Sequence, residues 1–417
     1  MRSGKRATES AGLQVQLCQV KESVVTTAVL DIDLQQLPAA VGNLEHVDEA
    51  LILFRLAGRP IGQTWLRPQH GQISGAELRS RLLDAAGWSL GRAWIDQYLA
   101  MPAAVAARSP RTSIAICLQY QSTNLRACLS SLAGLPDDGQ EILVIDRAPG
   151  NRRNREAAEF AGVGYVCADG PGLAAVRNQA LTLASHELVA FIDDRAQVDP
   201  QWLRAATRNF ADPLVACVTG LVMPQELTTA AQEIWEHYFA PRREFDRRSI
   251  DAGAQHFLQA ATAGAGSNMC IRRSMRFRVG PLSEALGAGT PARAGDDDNW
   301  LSDVLASGFR IIYEPAALTW QHYPRTKAEL LSAAHTQGSG IAARLTHQLL
   351  ARREASALAV WWRTLASYAM QSRPAAPFRR QDRLVSAAMN ARLIGFLRGP
   401  QCYLAARRRL RHIGGAL

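Results

Sequence analysis

Lysine is almost missing from this 417-residue chain, with three against 44 arginines. A genome rich in G and C, whose codons favour Arg and Ala, accounts for that bias without invoking function. Paired cysteines are missing too. Cys18, Cys117, Cys128, Cys167, Cys217, Cys270 and Cys402 stand singly, with no C-x-x-C. That excludes a disulfide framework and suits a reducing cytoplasm. No apolar run reaches the ~18 residues of a transmembrane helix. The opening Met1–Ser10 lacks the apolar core of a signal peptide. The P-loop pattern G-x-x-x-x-G-K-[ST] is absent. A dinucleotide enzyme needs G-x-G-x-x-G directly after a strand. Gly162-Val163-Gly164 instead precedes one, and Gly264-Ala265-Gly266 lacks the third glycine. No repeat of solenoid period occurs.

Acidic residues are scarce in one place. Residues 331–417 hold 14 arginines and only Glu354 and Asp382, a net of +12. The first 330 residues net −2. The pI of 9.6 therefore belongs to the tail, and a nearly neutral body argues against a nucleic-acid binder. A hydrophobic fraction of 47% with 20% charged residues is that of a folded protein.

The pattern along the chain divides it into three. Residues 1–108 read as a small α+β unit. Leu51–Leu56 and Ile61–Leu66 form a hairpin around Gly58-Arg59-Pro60. Ser74 and Glu77 make a capping box that starts a helix at Gly75, expected to end near Ala86. Met101–Pro110 reads as a linker. From residue 109 to 330, short apolar runs alternate with helical stretches: strands at Ser113–Leu118, Glu141–Asp146, Gly164–Ala168 and Leu188–Asp193, helices at Asn124–Leu135, 152–161 and Leu173–Ala184. That alternation means a parallel α/β sheet, whose ligands bind beyond the carboxyl ends of its strands. Residues 331–417 read as a basic helical extension.

Two acid clusters carry candidate chemistry. The strand Val189–Ile192 empties into Asp193-Asp194-Arg195, and adjacent carboxylates suit a hard divalent cation. Solvated acids at a strand end are the alternative. Further on, the Gly287–Gly295 loop leads into Asp296-Asp297-Asp298 at a helix start. Acids there are favoured electrostatically, but clustered carboxylates also raise one another's pKa, which suits a general base.

These segments resemble family 2 glycosyltransferases. Eight come in that family's order: Ser113–Leu118, Ile142–Asp146, Pro171–Asn178, Phe191–Asp194, Cys217–Pro224, Gly266–Met269, Gly295–Asp297 and Tyr313–Pro315. The resemblance covers about residues 112–325. It implies a GT-A, Rossmann-like fold and an inverting transfer of a sugar from a nucleotide-diphosphate donor to an acceptor hydroxyl. The setting expected is polysaccharide, glycolipid or secondary-metabolite synthesis. The resemblance also implies roles. Asp146 contacts the nucleotide base. Arg177 and Asn178 flank the diphosphate. Asp193 and Asp194 meet ribose and metal, and His322 adds a metal ligand. Asp297 is the base, beside Asp296. The pattern departs in three places. A third acid is replaced by Arg195, which sets a cation in the cradle expected to hold Mg²⁺ or Mn²⁺, or pairs with phosphate itself. The Glu-Asp pair is Asp-Asp. A basic residue after the first strand is lost in Gln119–Ser122. A degenerate, transferase-like scaffold protein is the rival reading. Acceptor contacts are expected in Gln225–Gly266. For the tail, Trp361-Trp362 beside Arg363 and the run Arg407–Arg411 suggest an anionic membrane surface, against a packed extension with solvated arginines. The expected place of work is cytoplasmic, free or on the inner membrane face.

Overall fold

The computed structural model describes residues 27–98, 110–147, 152–251, 263–371 and 382–414. The N-terminal unit holds β1 (Thr27–Asp33), β2 (Ala40–Val41), β3 (Glu49–Leu56), β4 (Arg59–Leu66), β5 (Ile73–Ser74) and α1 (Gly75–Tyr98). The expected hairpin is β3–β4, with its turn at Ala57-Gly58, both at positive φ. The second strand thus begins at Arg59, earlier than the sequence suggested. β1, which no motif announced, pairs with β3 in parallel. The Ser74 hydroxyl caps α1 by accepting from the Glu77 N–H at 3.2 Å. The helix runs through Gly87 and Gly91 to Tyr98, twelve residues past the expected end at Ala86. A glycine costs only about 1 kcal/mol in a helix and does not by itself stop one. The expected linker falls almost wholly outside the described residues.

The body is a nine-stranded sheet. In chain order it is built from β6 (Thr112–Leu118), α2 (Leu125–Ala133), β7 (Glu141–Asp146), α3 (Arg152–Phe160), β8 (Gly164–Cys167), α4 (Leu173–Leu183), β9 (Leu188–Ile192), β10 (Ala196–Val198), α5 (Trp202–Thr207), β11 (Val215–Pro224), α6 (Ala230–Tyr238), β12 (Arg248–Ile250), β13 (Asn268–Arg272), α7 (Met275–Arg278), α8 (Asp296–Ala306) and β14 (Arg310–Gln321). The order across the sheet is β10-β14-β11-β13-β9-β6-β7-β8, with β12 beside β14. β8, β7, β6 and β9 are parallel, and β13 runs against β9 and β11. The expected α/β class is thus present. Strands buried on both faces explain the near-continuous apolar runs. One apolar layer sits under α2, α3 and α5, and the other under α4 and α8. Leu125, Cys128, Leu129 and Leu132, at helical spacing, are the buried face of α2.

Two joints attach the flanking parts. Leu51 and Leu53 of β3 pack on Leu221, Met223 and Leu318 of the main sheet, and buried Arg55 reaches Asp199 at 2.6 Å. On the other side stand α9 (Lys327–Ala351), α10 (Ser356–Gln371) and α11 (Asp382–Gly414). Thr326 and Glu329 form a capping box that starts α9. α9 and α11 pack backbone to backbone: a Cβ on Gly338 would lie 2.0 Å from the Arg392 carbonyl, and one on Gly395 2.1 Å from that of His335. Arg344 and Arg392 are buried there, so the tail's arginines are not all solvated.

Candidate functional site

The acids gather at the carboxyl edge of the sheet because β6 lies between β7 and β9. Asp146 ends β7 and is wholly buried. Its Oδ2 accepts from Asn154 of α3 at 2.8 Å and from the Tyr165 hydroxyl of β8 at 2.9 Å. Burial and that carboxylate together raise the Tyr165 phenol well above its ordinary pKa.

Asp193 follows β9. Its carboxylate accepts from the Arg195 backbone N–H at 2.9 Å and from the guanidinium at 3.1 and 3.3 Å. Burial would raise the Asp193 pKa, but Arg195 outweighs it and the net shift is downward. Asp194 goes the other way. Burial and the neighbouring Asp193 charge raise it, against a hydrogen bond with Ser122.

The second cluster opens α8. Gly295 at φ +96° turns the chain, and all three acids fall in the first turn, where helix N–H groups point at them. Arg177 of α4 reaches across to Asp296 at 2.7 Å, and both side chains are buried. Burial works against the Arg177 charge, yet Asp296 and Asp297 hold the guanidinium far up its titration range. Burial also pushes Asp296 up, with Arg177 opposing.

One short segment joins the two clusters. The Gly266 N–H donates to Asp297 Oδ2 at 2.9 Å, and the Gly266 carbonyl accepts from Arg177 at 3.2 Å. The next carbonyl, of Ser267, accepts from the Asp193 N–H at 3.2 Å. Asp193 and Asp297 therefore hang from neighbouring residues, whose Cα atoms are about 3.8 Å apart. A Cβ at 266 would sit 2.2 Å from Asp297 Oδ2, so any residue other than glycine must push that side chain aside. The next residue of the motif, Asn268, fastens the segment below. It accepts from the Trp202 indole at 2.8 Å and donates to the Leu221 and Ala317 carbonyls.

Two further expected residues have side chains engaged with other partners. The Asn178 amide is engaged by the Leu282–Glu284 turn, donating to the Leu282 carbonyl at 3.0 Å and accepting from its N–H at 2.9 Å. It holds the loop that leads into α8. The His322 ring lies 3.6 Å from Glu226, while its backbone N–H donates to the Arg195 carbonyl. Among the described residues no three His, Cys, Asp or Glu side chains converge as a metal cage.

Three contributors were given no role of their own by the sequence. Gly266 is one, though its motif was seen. Asp298, seen only as part of its cluster, is another: burial first, then Asp297, push it up to about 7, with Arg344 opposing. The third is the tail. Arg344 of α9 donates to Ser302 of α8 at 3.2 Å, Gln348 to Asn299 at 2.7 Å, and Arg352 to Asp303 at 2.8 Å. The helix that bears the acids is thus gripped by a helix that bears none of the motifs, and no local signal announces such a contact.

Comparison with known proteins agrees with this reading of the body. The family described as "Glycosyl transferase family 2" matches residues 113–274. EpsH of Bacillus subtilis strain 168, for which a glycosyltransferase activity is proposed, is 27% identical over 177 residues, 40% of this chain. The match spans about half of that relative, 48%. Among solved structures, the Pyrobaculum calidifontis mannosyltransferase PcManGT, in complex with GDP-Man and Mn²⁺, overlaps 74% of this chain and 93% of its own at 15% identity and a TM-score of 0.47. GalNAc-T7 with UDP, GalNAc and Mn²⁺ overlaps 58% of this chain and 52% of its own at 13% identity and a TM-score of 0.41. No assignment rests on overlaps that slight. The sequence match and the acids Asp146, Asp193 and Asp194 meet in the same segment, residues 113–274, which is similar to glycosyl transferase family 2.

Proposed function

We propose that the chain is an inverting glycosyltransferase that uses a nucleotide-diphosphate sugar. The observation that supports this most is the Gly266–Ser267 joint, which sets a carboxylate on a helix N-terminus against a second acid cluster at a sheet edge. In this reading an acceptor oxygen attacks the anomeric carbon from the face opposite the diphosphate. The bond to the diphosphate oxygen breaks and its electron pair leaves with that oxygen. Asp297 takes the acceptor proton, worth about 10²–10⁴-fold in rate for a well-placed base. Asp296, locked to Arg177, keeps that turn of α8 in place. In this reading Asp146 meets the nucleotide base and Arg195 a phosphate oxygen.

A divalent cation, Mg²⁺ or Mn²⁺, belongs to the same reading. Asp194 fits it in part: a carboxylate pushed up by a like charge gains from a cation. Mg²⁺ commonly needs only one or two carboxylates, the rest of its shell coming from phosphate and water. His322, turned to Glu226, is not needed. Bound there, the cation would stabilise the charge on the departing diphosphate.

The acceptor is proposed to be a glycan, a lipid-linked sugar or a small molecule, met along Gln225–Gly266 on the cytoplasmic side. Part of that stretch lies outside the described residues. The test is a thermal-shift screen of nucleotide diphosphates and their sugars with and without Mn²⁺, followed by mass-spectrometric turnover. A donor that stabilises the chain and is consumed, with turnover lost in Asp297→Asn and donor binding kept, is the expected result. Stabilisation without turnover would favour the scaffold reading. No response to any nucleotide diphosphate would remove the proposal.

A further inference from the structure

We propose that the outer face of α10 is a docking surface for an anionic lipid bilayer. A surface helix ordinarily buries one apolar face and exposes a polar one. α10 is apolar on both. Its inner side packs Ala357, Trp361 and Tyr368 against Phe396 of α11, with ring centroids 5.2 Å apart for Trp361 and 5.5 Å for Tyr368. The opposite side carries Leu358, Trp362 and Met370, which are 50%, 59% and 71% exposed. Their spacing of four and eight residues sets them on one stripe, and exposed Ala366 fills the gap between the last two. The tryptophan pair expected at a membrane is therefore divided: Trp361 belongs to the core and Trp362 to the surface.

The charge around the stripe is mainly positive. Arg363 is the only charged residue within α10, and exposed Arg353 stands just before it. The one acid nearby in the chain, half-buried Glu354, is engaged at the helix start, where it accepts from the Ser356 N–H at 3.2 Å. From residue 355 to 381 the chain has no acid at all, and after Asp382 it has none to its end. The neighbouring α11 adds exposed Ile394 and Leu397 beside exposed Arg398. An apolar stripe within a mainly cationic surround matches acyl chains below and acidic headgroups above. A nucleic acid would use the charge but leave Leu358 and Met370 in water. α10 has 16 residues, about 24 Å of helix, too short to span a bilayer. Among the described residues no helix is long and apolar enough to cross one. The helix would lie in the headgroup plane, with the Trp362 ring at the water boundary. Trp88 on α1 is exposed as well, at 75%, but lies outside α10 and serves as the control.

The surface stands apart from the transfer reaction, and its test reads binding alone. The full chain is mixed with phosphatidylcholine vesicles, with and without about one-third phosphatidylglycerol, at roughly 0.1 M salt and again at roughly 0.5 M. It is expected to float with the anionic vesicles at the lower salt, at least about tenfold better than with neutral ones, and to be released at the higher salt. Leu358→Glu with Trp362→Glu is expected to abolish flotation while the circular dichroism stays that of the parent. Trp88→Glu should float like the parent. Equal binding to neutral vesicles, or none by the folded chain, would overturn the proposal. So would a dimer in solution that the double substitution turns into monomers, because a second copy would then be what covers the face.

Discussion

The two acid clusters solve the same problem by opposite means. Asp193 finds its cation two residues along the chain, on the half-exposed Arg195. Asp296 finds its cation 119 residues away, on Arg177, with both partners buried. The first pair is local and wet, and such a pair is worth little to stability. The second is remote and dry, so removing one partner strands a charge where water cannot reach it. The first cluster can therefore open to a ligand at small cost, while the second is built to stay shut. The proposed reaction, which admits a charged donor and holds a carboxylate still, would use one of each.

The comparison is broken most severely at Arg177. Arg177→Met should destabilise the chain by about 3–5 kcal/mol at neutral pH in urea unfolding. A loss below about 1 kcal/mol would mean that Asp296 is not held by that pair. Gly266→Ala attacks the joint between the clusters. The new methyl must push Asp297 aside, so a loss of about 1–3 kcal/mol is expected, with turnover down about 10²-fold from misplacement of the carboxylate. Unchanged turnover would separate Asp297 from the chemistry.

Asp298 tests the dry side by pH. Its pKa near 7 lies above that of an unfolded aspartate, so the folded chain binds this proton more tightly. The carboxyl is no burden below the ordinary aspartate pKa of about 4; stability is lost as pH rises from there to about 7 and is level above it. Melting of the parent should fall between about pH 4.5 and pH 7 by more than that of Asp298→Asn, by roughly 2–4 °C. Identical profiles would show that Asp298 stays ionised throughout. The smallest effect belongs to the wet pair. Arg195→Ala should change stability by less than about 1 kcal/mol, whereas Arg195→Asp should strengthen the response to Mn²⁺ in a melting titration. No change in that titration would place Arg195 away from the cation.

The legible features were those written in neighbouring residues. The hairpin, the cap at Ser74, the strand ends at Asp146 and Asp193 and the helix start at Asp296 all follow from short-range rules of turn, cap and period. β1 was not legible, because Thr27–Asp33 is defined by pairing with β3. The extent of α1 was misread because glycine weakens a helix without ending it. The bonds of Asn178 to the loop at Leu282 were not legible either, since a motif records a residue and not the direction of its side chain.

The tail shows the same limit at larger scale. Its +12 charge is plain in the sequence, but the sequence alone set it apart from the site. The fold places α9 against α8, so that Arg344, Gln348 and Arg352 hold the helix of the three acids. By itself the sequence determined the class of fold, the acids at its sheet edge and the cationic end, because each depends on residues a few positions apart. The tertiary structure alone decided which cation meets which acid, which arginines are dry and which tryptophan faces out. Those depend on contacts between residues far apart in the chain, whose strength is set by how much water the packing excludes.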